Sequence, residues 1–265
     1  MGRMDHLEVG DYWDRNADTW IELSRAGHDV YRDLVNTPAF LAMLPQVTGG
    51  AGLDLGCGEG HNTRLLARRG ARMTALDIAR RFIQAAVAKE RHQPLGIRYV
   101  RASAVALPFA EDAFDFVVAF MSLMDMPDLD AVLAEVQRVL RRGGFLQFSI
   151  EHPCTSTQGS GWVTDEHGKR MARIIGDYFQ QEPYLDRWIF STAPRQLQRD
   201  RRPFQVPRFP RTLSVWLNSI ASAGLVLDAA NEPFADQAAV ARHPQLAATR
   251  TAPLFLHLRC RKPTS

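Results

Sequence analysis

Apolar positions follow two different periods along the chain. Short runs, one leading into Asp54 and others at 72–76, 97–100, 114–120 and 145–150, read as strands, and the nearly unbroken apolar run 114–120 as one covered on both faces. Between them the spacing becomes helical. Ala79, Phe82, Ile83, Ala86 and Val87 recur at i, i+3, i+4, i+7 and i+8, and Leu129, Val132, Leu133, Val136, Val139 and Leu140 share one face of a later helix. A first helix over 61–69 stops at Gly70, the second stops before Pro94, and the third runs from an N-cap at Asp128 to Gly143-Gly144. Strands that alternate with helices through short connections predict an α/β fold with a right-handed parallel sheet.

The alternation fails at both ends of this block. Residues 5–45 look helical in pieces and carry Tyr12, Trp13 and Trp20 as an aromatic cluster. From Glu151 to about Arg208 the chain is rich in Gly, Pro, Gln and aromatics, a composition unlike disorder, and it follows a strand's C-terminal end. That position puts an insertion over the ligand crevice of an open sheet, as a substrate lid. Leu213, Trp216, Leu217 and Ile220 predict a last helix ended by Gly224, with closing strands at 225–227 and 254–258 and a tail, Lys262 to Ser265, that should fray. The division that results is 1–45, an N-terminal helical lid; 46–150, a cofactor-binding half; 151–210, the lid insertion; and 211–265, the closing helix and strands.

Composition narrows the function. Charged residues make up 23% of the chain, with a formal charge of only +3. No strong affinity for nucleic acid follows, nor do aromatics interleave with basic residues as in a stacking groove. Only Lys89, Lys169 and Lys262 are lysines, so the seven arginines between Arg187 and Arg211 reflect a general preference and read as solvated surface. Cys57, Cys154 and Cys260 are too far apart for a disulfide framework or a metal site, which fits a reducing cytoplasm, and no metal is expected. The run from Phe116 to Met124 is half a membrane span, and Met1 to His6 suits neither a secretory leader nor myristoylation.

The chemistry concentrates in Ala51 to Gly60, Ala-Gly-Leu-Asp-Leu-Gly-Cys-Gly-Glu-Gly, where a strand meets a tight loop and a helix start. Glycines let a ligand approach bare backbone, and the helix start presents free N–H groups. A dinucleotide fingerprint would need a third glycine where His61 stands, and no Gly-Lys-Ser/Thr closes a P-loop. Asp54 and Glu59 suit a cationic guest better than a pyrophosphate. Asp77, ending the next strand, occupies the place of a ribose-gripping carboxylate.

Asp54 to Gly60 resembles, residue for residue, the D-x-G-x-G-x-G motif of the class I S-adenosylmethionine-dependent methyltransferases, in their small-molecule, ubiquinone- or menaquinone-biosynthesis-like form. The resemblance implies a Rossmann-like, doubly wound sheet of seven strands with an antiparallel last strand, and S-adenosylmethionine as cofactor. It extends the cofactor set from Asp54, Gly56, Cys57, Gly58, Gly60 and Asn62 to Asp77, Ile78, Ser103, Ala104 and Phe120, with Tyr12 folded over the ligand. Ser103 replaces the aspartate that the family often places against the adenine amine. Trp13, Tyr178 and Arg211 are the expected substrate contacts.

Methyl transfer from a sulfonium rests mostly on positioning, and a base assists where the acceptor must lose a proton. Asp125 and His152, just past the fourth and fifth strands, are the expected catalytic residues and should meet, the carboxylate fixing the imidazole tautomer. The acceptor is expected to be a small molecule. The alternatives are an RNA cytosine-5 methyltransferase using Cys154 as nucleophile, and a non-catalytic protein that binds the cofactor as a ligand.

Overall fold

The computed structural model describes residues 4–264, so the expectations for Met1 to Arg3 and for Ser265 lie outside the described residues. One continuous helix, α1 (His6–Arg25), replaces the expected pieces; a capping box of Asp5 and Glu8 starts it. A π-helical turn (Arg32–Asn36) leads into α2 (Thr37–Met43). The alternating block follows: β1 (Ala51–Leu55), α3 (His61–Arg68), β2 (Arg72–Asp77), α4 (Arg80–His92), β3 (Arg98–Arg101), β4 (Phe114–Phe120), α5 (Leu129–Val139) and β5 (Leu140–Glu151).

The insertion holds a hairpin of β6 (Gly161–Thr164) and β7 (Arg170–Ile174), then β8 (Tyr184–Trp188), α6 (Arg195–Asp200) and β9 (Phe204–Arg208), with β8 and β9 antiparallel. The chain closes through α7 (Leu213–Ser222), β10 (Val226–Asn231), α8 (Gln237–Arg242), a 3₁₀ turn (Pro244–Arg250) and β11 (Phe255–Arg261).

Seven strands form one sheet in the order β10-β11-β5-β4-β1-β2-β3. Every pair from β5 to β3 is parallel, and β11 runs antiparallel to both of its neighbours. The chain turns back beside β1, so a crevice opens at the carboxyl ends of β1 and β4, where open α/β sheets bind ligands. Alternate residues of the central strands feed two cores. Leu53, Val117 and Phe148 pack with α5 and Trp216 of α7, whereas Phe116, Val118 and Phe120 pack with Phe40 and Leu66. This is why 114–120 reads as almost purely apolar.

Two local readings are corrected. The third helix ends at Val139, Leu140 is already extended, and Gly143-Gly144 do not stop a helix. They sit where the β4–β5 register shifts, and a Cβ on Gly144 would fall 2.7 Å from the Asp115 carbonyl. The tail does not fray at Lys262, whose ammonium donates to Asp112 at 2.9 Å and to the Leu140 carbonyl at 2.6 Å.

Candidate functional site

The loop after β1 takes the shape its glycines permit. Gly56, Gly58 and Gly60 have φ of +67°, +54° and +83°. A Cβ on Gly56 would lie 2.5 Å from Ser122 Cβ, and one on Gly60 would lie 2.3 Å from the Tyr99 hydroxyl, so packing also excludes side chains there. At Gly58 the nearest atom is Phe82 Cδ1 at 3.9 Å, which leaves bare backbone open to a ligand. Asp77, 8% exposed, accepts the Gly58 N–H at 2.8 Å and the Ala79 N–H at 2.9 Å. Burial pushes its pKa up to about 6. Each carboxylate oxygen keeps a lone pair for a further donor such as a ribose hydroxyl.

These groups form one end of a cavity of about 880 Å³, near the top of the roughly 300–1,000 Å³ usual for ligand sites and large enough for two reactants side by side. Gly56, Cys57, Gly58, Asn62, Asp77 and Ile78 line it from the cofactor set. Ser103, Ala104 and Phe120 line it too, as do Trp13 and Asp125.

Other predicted residues stand elsewhere. Asp54, 1% exposed, is not on the wall: it accepts from the Thr63 hydroxyl at 2.5 Å and so braces the first turn of α3. Burial raises its pKa to about 7. Gly60 shapes the loop from behind the wall. Tyr12 packs with Met4, Val9 and Phe209, and the Arg15 guanidinium lies 4.4 Å over its ring. In an unbroken helix residues 12 and 13 point about 100° apart, and it is Trp13, with Val9 and Trp20, that faces the cavity. Tyr178 accepts the Leu213 N–H at 2.9 Å through its hydroxyl, off the wall. Arg211 donates to the carbonyls of Met126 at 2.6 Å and Pro127 at 3.1 Å, which pins the loop carrying Asp125, and burial draws its pKa down to about 10.

The structure does not pair Asp125 with His152. Asp125, 5% exposed, faces Arg208, whose guanidinium lies 3.4 Å from Asp125, 3.2 Å from Glu151 and 3.4 Å from Asp186. All four line the cavity. Burial lifts the Asp125 pKa to about 7 against the opposing pull of Arg208, so the carboxyl exchanges its proton near neutrality. His152 is buried off the wall. Its Nδ1 accepts the Cys154 N–H at 3.2 Å and its Nε2 lies 2.9 Å from Glu232. With Nδ1 accepting, Nε2 carries the proton, and neither nitrogen is free to receive one from a bound acceptor. Cys154 is likewise absent from the wall. Arg208 was hidden among the surface arginines of the sequence; no local signal separates it from its neighbours.

Among the described residues no group of three or more His, Cys, Asp or Glu is placed to hold a metal, and no helix is long and apolar enough to cross a membrane.

A family model described as a methyltransferase domain matches residues 53–148. The crystal structure of an S-adenosylmethionine dependent methyltransferase from Mesorhizobium loti superposes with a TM-score of 0.69 at 29% identity, covering 84% of this chain and 96% of that one. A phthiotriol/phenolphthiotriol dimycocerosates methyltransferase of Mycobacterium ulcerans is 30% identical over 61% of this chain and 59% of its own length. A malonyl-[acyl-carrier protein] O-methyltransferase of Pectobacterium atrosepticum is 31% identical over 56% and 58%. The chain thus spans under two thirds of these last two relatives.

Proposed function

Because this chain is a class I S-adenosylmethionine-dependent methyltransferase, we propose that it methylates a small-molecule acceptor seated beside Asp125, whose carboxylate serves as general base. The observation that carries this reading is a single cavity walled at one end by the glycine loop and Asp77 and elsewhere by Asp125. The cradle suits the cofactor: open backbone at Gly58, a buried carboxylate at Asp77, and Ser103 with Ala104 at the end of β3. When bound, S-adenosylmethionine supplies a methyl group already activated by its sulfonium.

The chain's own part is to hold the acceptor in line and to take its proton. Positioning of this kind is worth up to roughly 7–11 kcal/mol. Asp125 contributes a further 10²–10⁴-fold, on the order expected of a base whose pKa lies near the operating pH. Arg208 keeps the carboxylate's charge tolerable and fixes its direction. His152 acts as a brace for the segment after β5, not as the base. Three free cysteines suit a cytoplasmic setting.

The test is calorimetry with S-adenosylhomocysteine, followed by turnover of methyl-labelled donor with a metabolite extract. Asp125→Asn should retain ligand affinity and lose roughly 10²-fold or more in turnover. Full turnover in that variant would remove Asp125 from the chemistry, and failure of the wild type to bind the ligand would remove the methyltransferase reading.

A further inference from the structure

Among the described residues three arginines line the cavity, and two of them are neutralised. Arg32 meets Asp33 at 2.7 Å, and Arg208 has its three carboxylates. Arg173, on β7, makes no salt bridge among the described residues; the acid nearest in charge, Glu151, is engaged by Arg208 at 3.2 Å. Arg173 is nonetheless held in place. Its guanidinium donates to the Thr155 carbonyl and, at 2.7 Å, to the Ser160 hydroxyl, and lies 5.0 Å over the Trp162 ring. Its Nε is buried without a partner. Arg170 lies 5.1 Å over the same ring, so two like charges share one indole. Burial first, then Arg170, hold the Arg173 guanidinium below its ordinary pKa, with Glu151 pulling the other way.

The loop before this hairpin, Thr155 to Ser160, also lines the cavity and offers donors. The Thr157 hydroxyl accepts the Gly176 N–H at 2.9 Å and keeps its own proton to give. Ser160, accepting from Arg173, is in the same position. A fixed guanidinium beside hydroxyl donors, lining a cavity and making no salt bridge among the described residues, is the chemistry of an oxyanion site.

We propose that Arg173, with the hydroxyls of Thr157 and Ser160, binds an oxyanion carried by the methyl acceptor, a carboxylate or a phosphate. The inference rests on the methyltransferase reading of this cavity and names the substrate class: an anionic small molecule, anchored by the insertion at a point remote in sequence from the glycine loop.

The experiment uses the full chain saturated with S-adenosylhomocysteine, titrated calorimetrically with inorganic phosphate, with malonate, and with glycerol as the uncharged control. Saturable binding of phosphate or malonate and none of glycerol is expected, and which anion binds tighter distinguishes the two sources. In Arg173→Gln the affinity should fall about tenfold or more, as for the loss of a charged hydrogen bond, with S-adenosylhomocysteine binding unchanged. Thr157→Val should weaken the anion in the same direction, and decides the matter if Arg173→Gln does not fold. The proposal is overturned if the loaded wild type binds neither anion, if the variants bind as the wild type does, or if loading abolishes the binding, which would make this the pocket for the cofactor's own carboxylate. A wild type that binds no S-adenosylhomocysteine would overturn the methyltransferase reading itself.

Discussion

The side-chain amide of Asn16 on α1 pairs in both directions with the backbone of Gln205 on β9, donating to its carbonyl at 2.9 Å and accepting its N–H at 3.1 Å. Asn16 stands where another strand would, and satisfies an edge that would otherwise need water. The N-terminal helix and the insertion therefore form one cover over the cavity. Asn16→Ala should lower stability by about 1–3 kcal/mol in urea unfolding, the cost of groups left without partners. Hydrogen exchange should quicken together along 6–25 and 204–208; acceleration of one segment alone would show that they cover the cavity separately.

Asp77 is fixed by two backbone N–H groups before any ligand arrives. Asp77→Ala should weaken S-adenosylhomocysteine by roughly 1.5–3 kcal/mol, the usual value of a hydrogen bond to a charged group. Part of that loss comes from a slackened loop at Gly58. Calorimetric affinities equal to wild type would exclude Asp77 as a ligand group.

The pKa of Asp125, raised to about 7 by burial, sets a pH dependence for both rate and stability. A base must be ionised to work, so kcat/KM should rise with pH and level off above about 7. Arg208→Gln removes the cation that favours the carboxylate, so the inflection should move to higher pH. For stability the sign is opposite. The folded-state value lies above that of the unfolded chain, so the protonated carboxyl stabilises the fold at low pH, and this contribution is lost as pH rises through about 7. Asp125→Asn should therefore gain in Tm over wild type progressively as pH rises from about 4 through about 7, with the full gain at about pH 8 and none below about pH 4. Parallel Tm curves for the two proteins would place the titration elsewhere.

What the sequence revealed was local. The glycine loop, Asp77 and the strand–helix alternation depend on spacings within a few residues, so the strand and turn of 51–60 and the strand 114–120 were legible as elements. The phase of α1 was not legible, because separating Tyr12 from Trp13 requires knowing that one helix runs unbroken from His6 to Arg25. The insertion's hairpin was invisible because β6 and β7 are largely exposed and lack apolar alternation. Arg208 meets Asp125 across 83 residues, Glu151 across 57 and Asp186 across 22, a convergence that only the folded sheet produces.

His152 gives the sharpest separation of a structural from a catalytic role. Both ring nitrogens are committed, Nδ1 to the Cys154 N–H at 3.2 Å and Nε2 to Glu232 at 2.9 Å. The His152 backbone adds to the brace, its N–H donating to the Leu254 carbonyl at 2.9 Å and its carbonyl accepting from Thr155 and Ser156. A base in this position would have to break its bond to Cys154 before taking a proton. His152→Ala should thus lower stability by about 1–3 kcal/mol, the cost of a buried ring removed and a part-buried N–H left without its partner, while the pH profile of kcat/KM keeps its inflection near 7. Asp125→Asn should do the reverse, leaving the fold intact and flattening the profile. If His152→Ala flattened the profile and Asp125→Asn did not, the roles assigned to the two side chains would have to be exchanged.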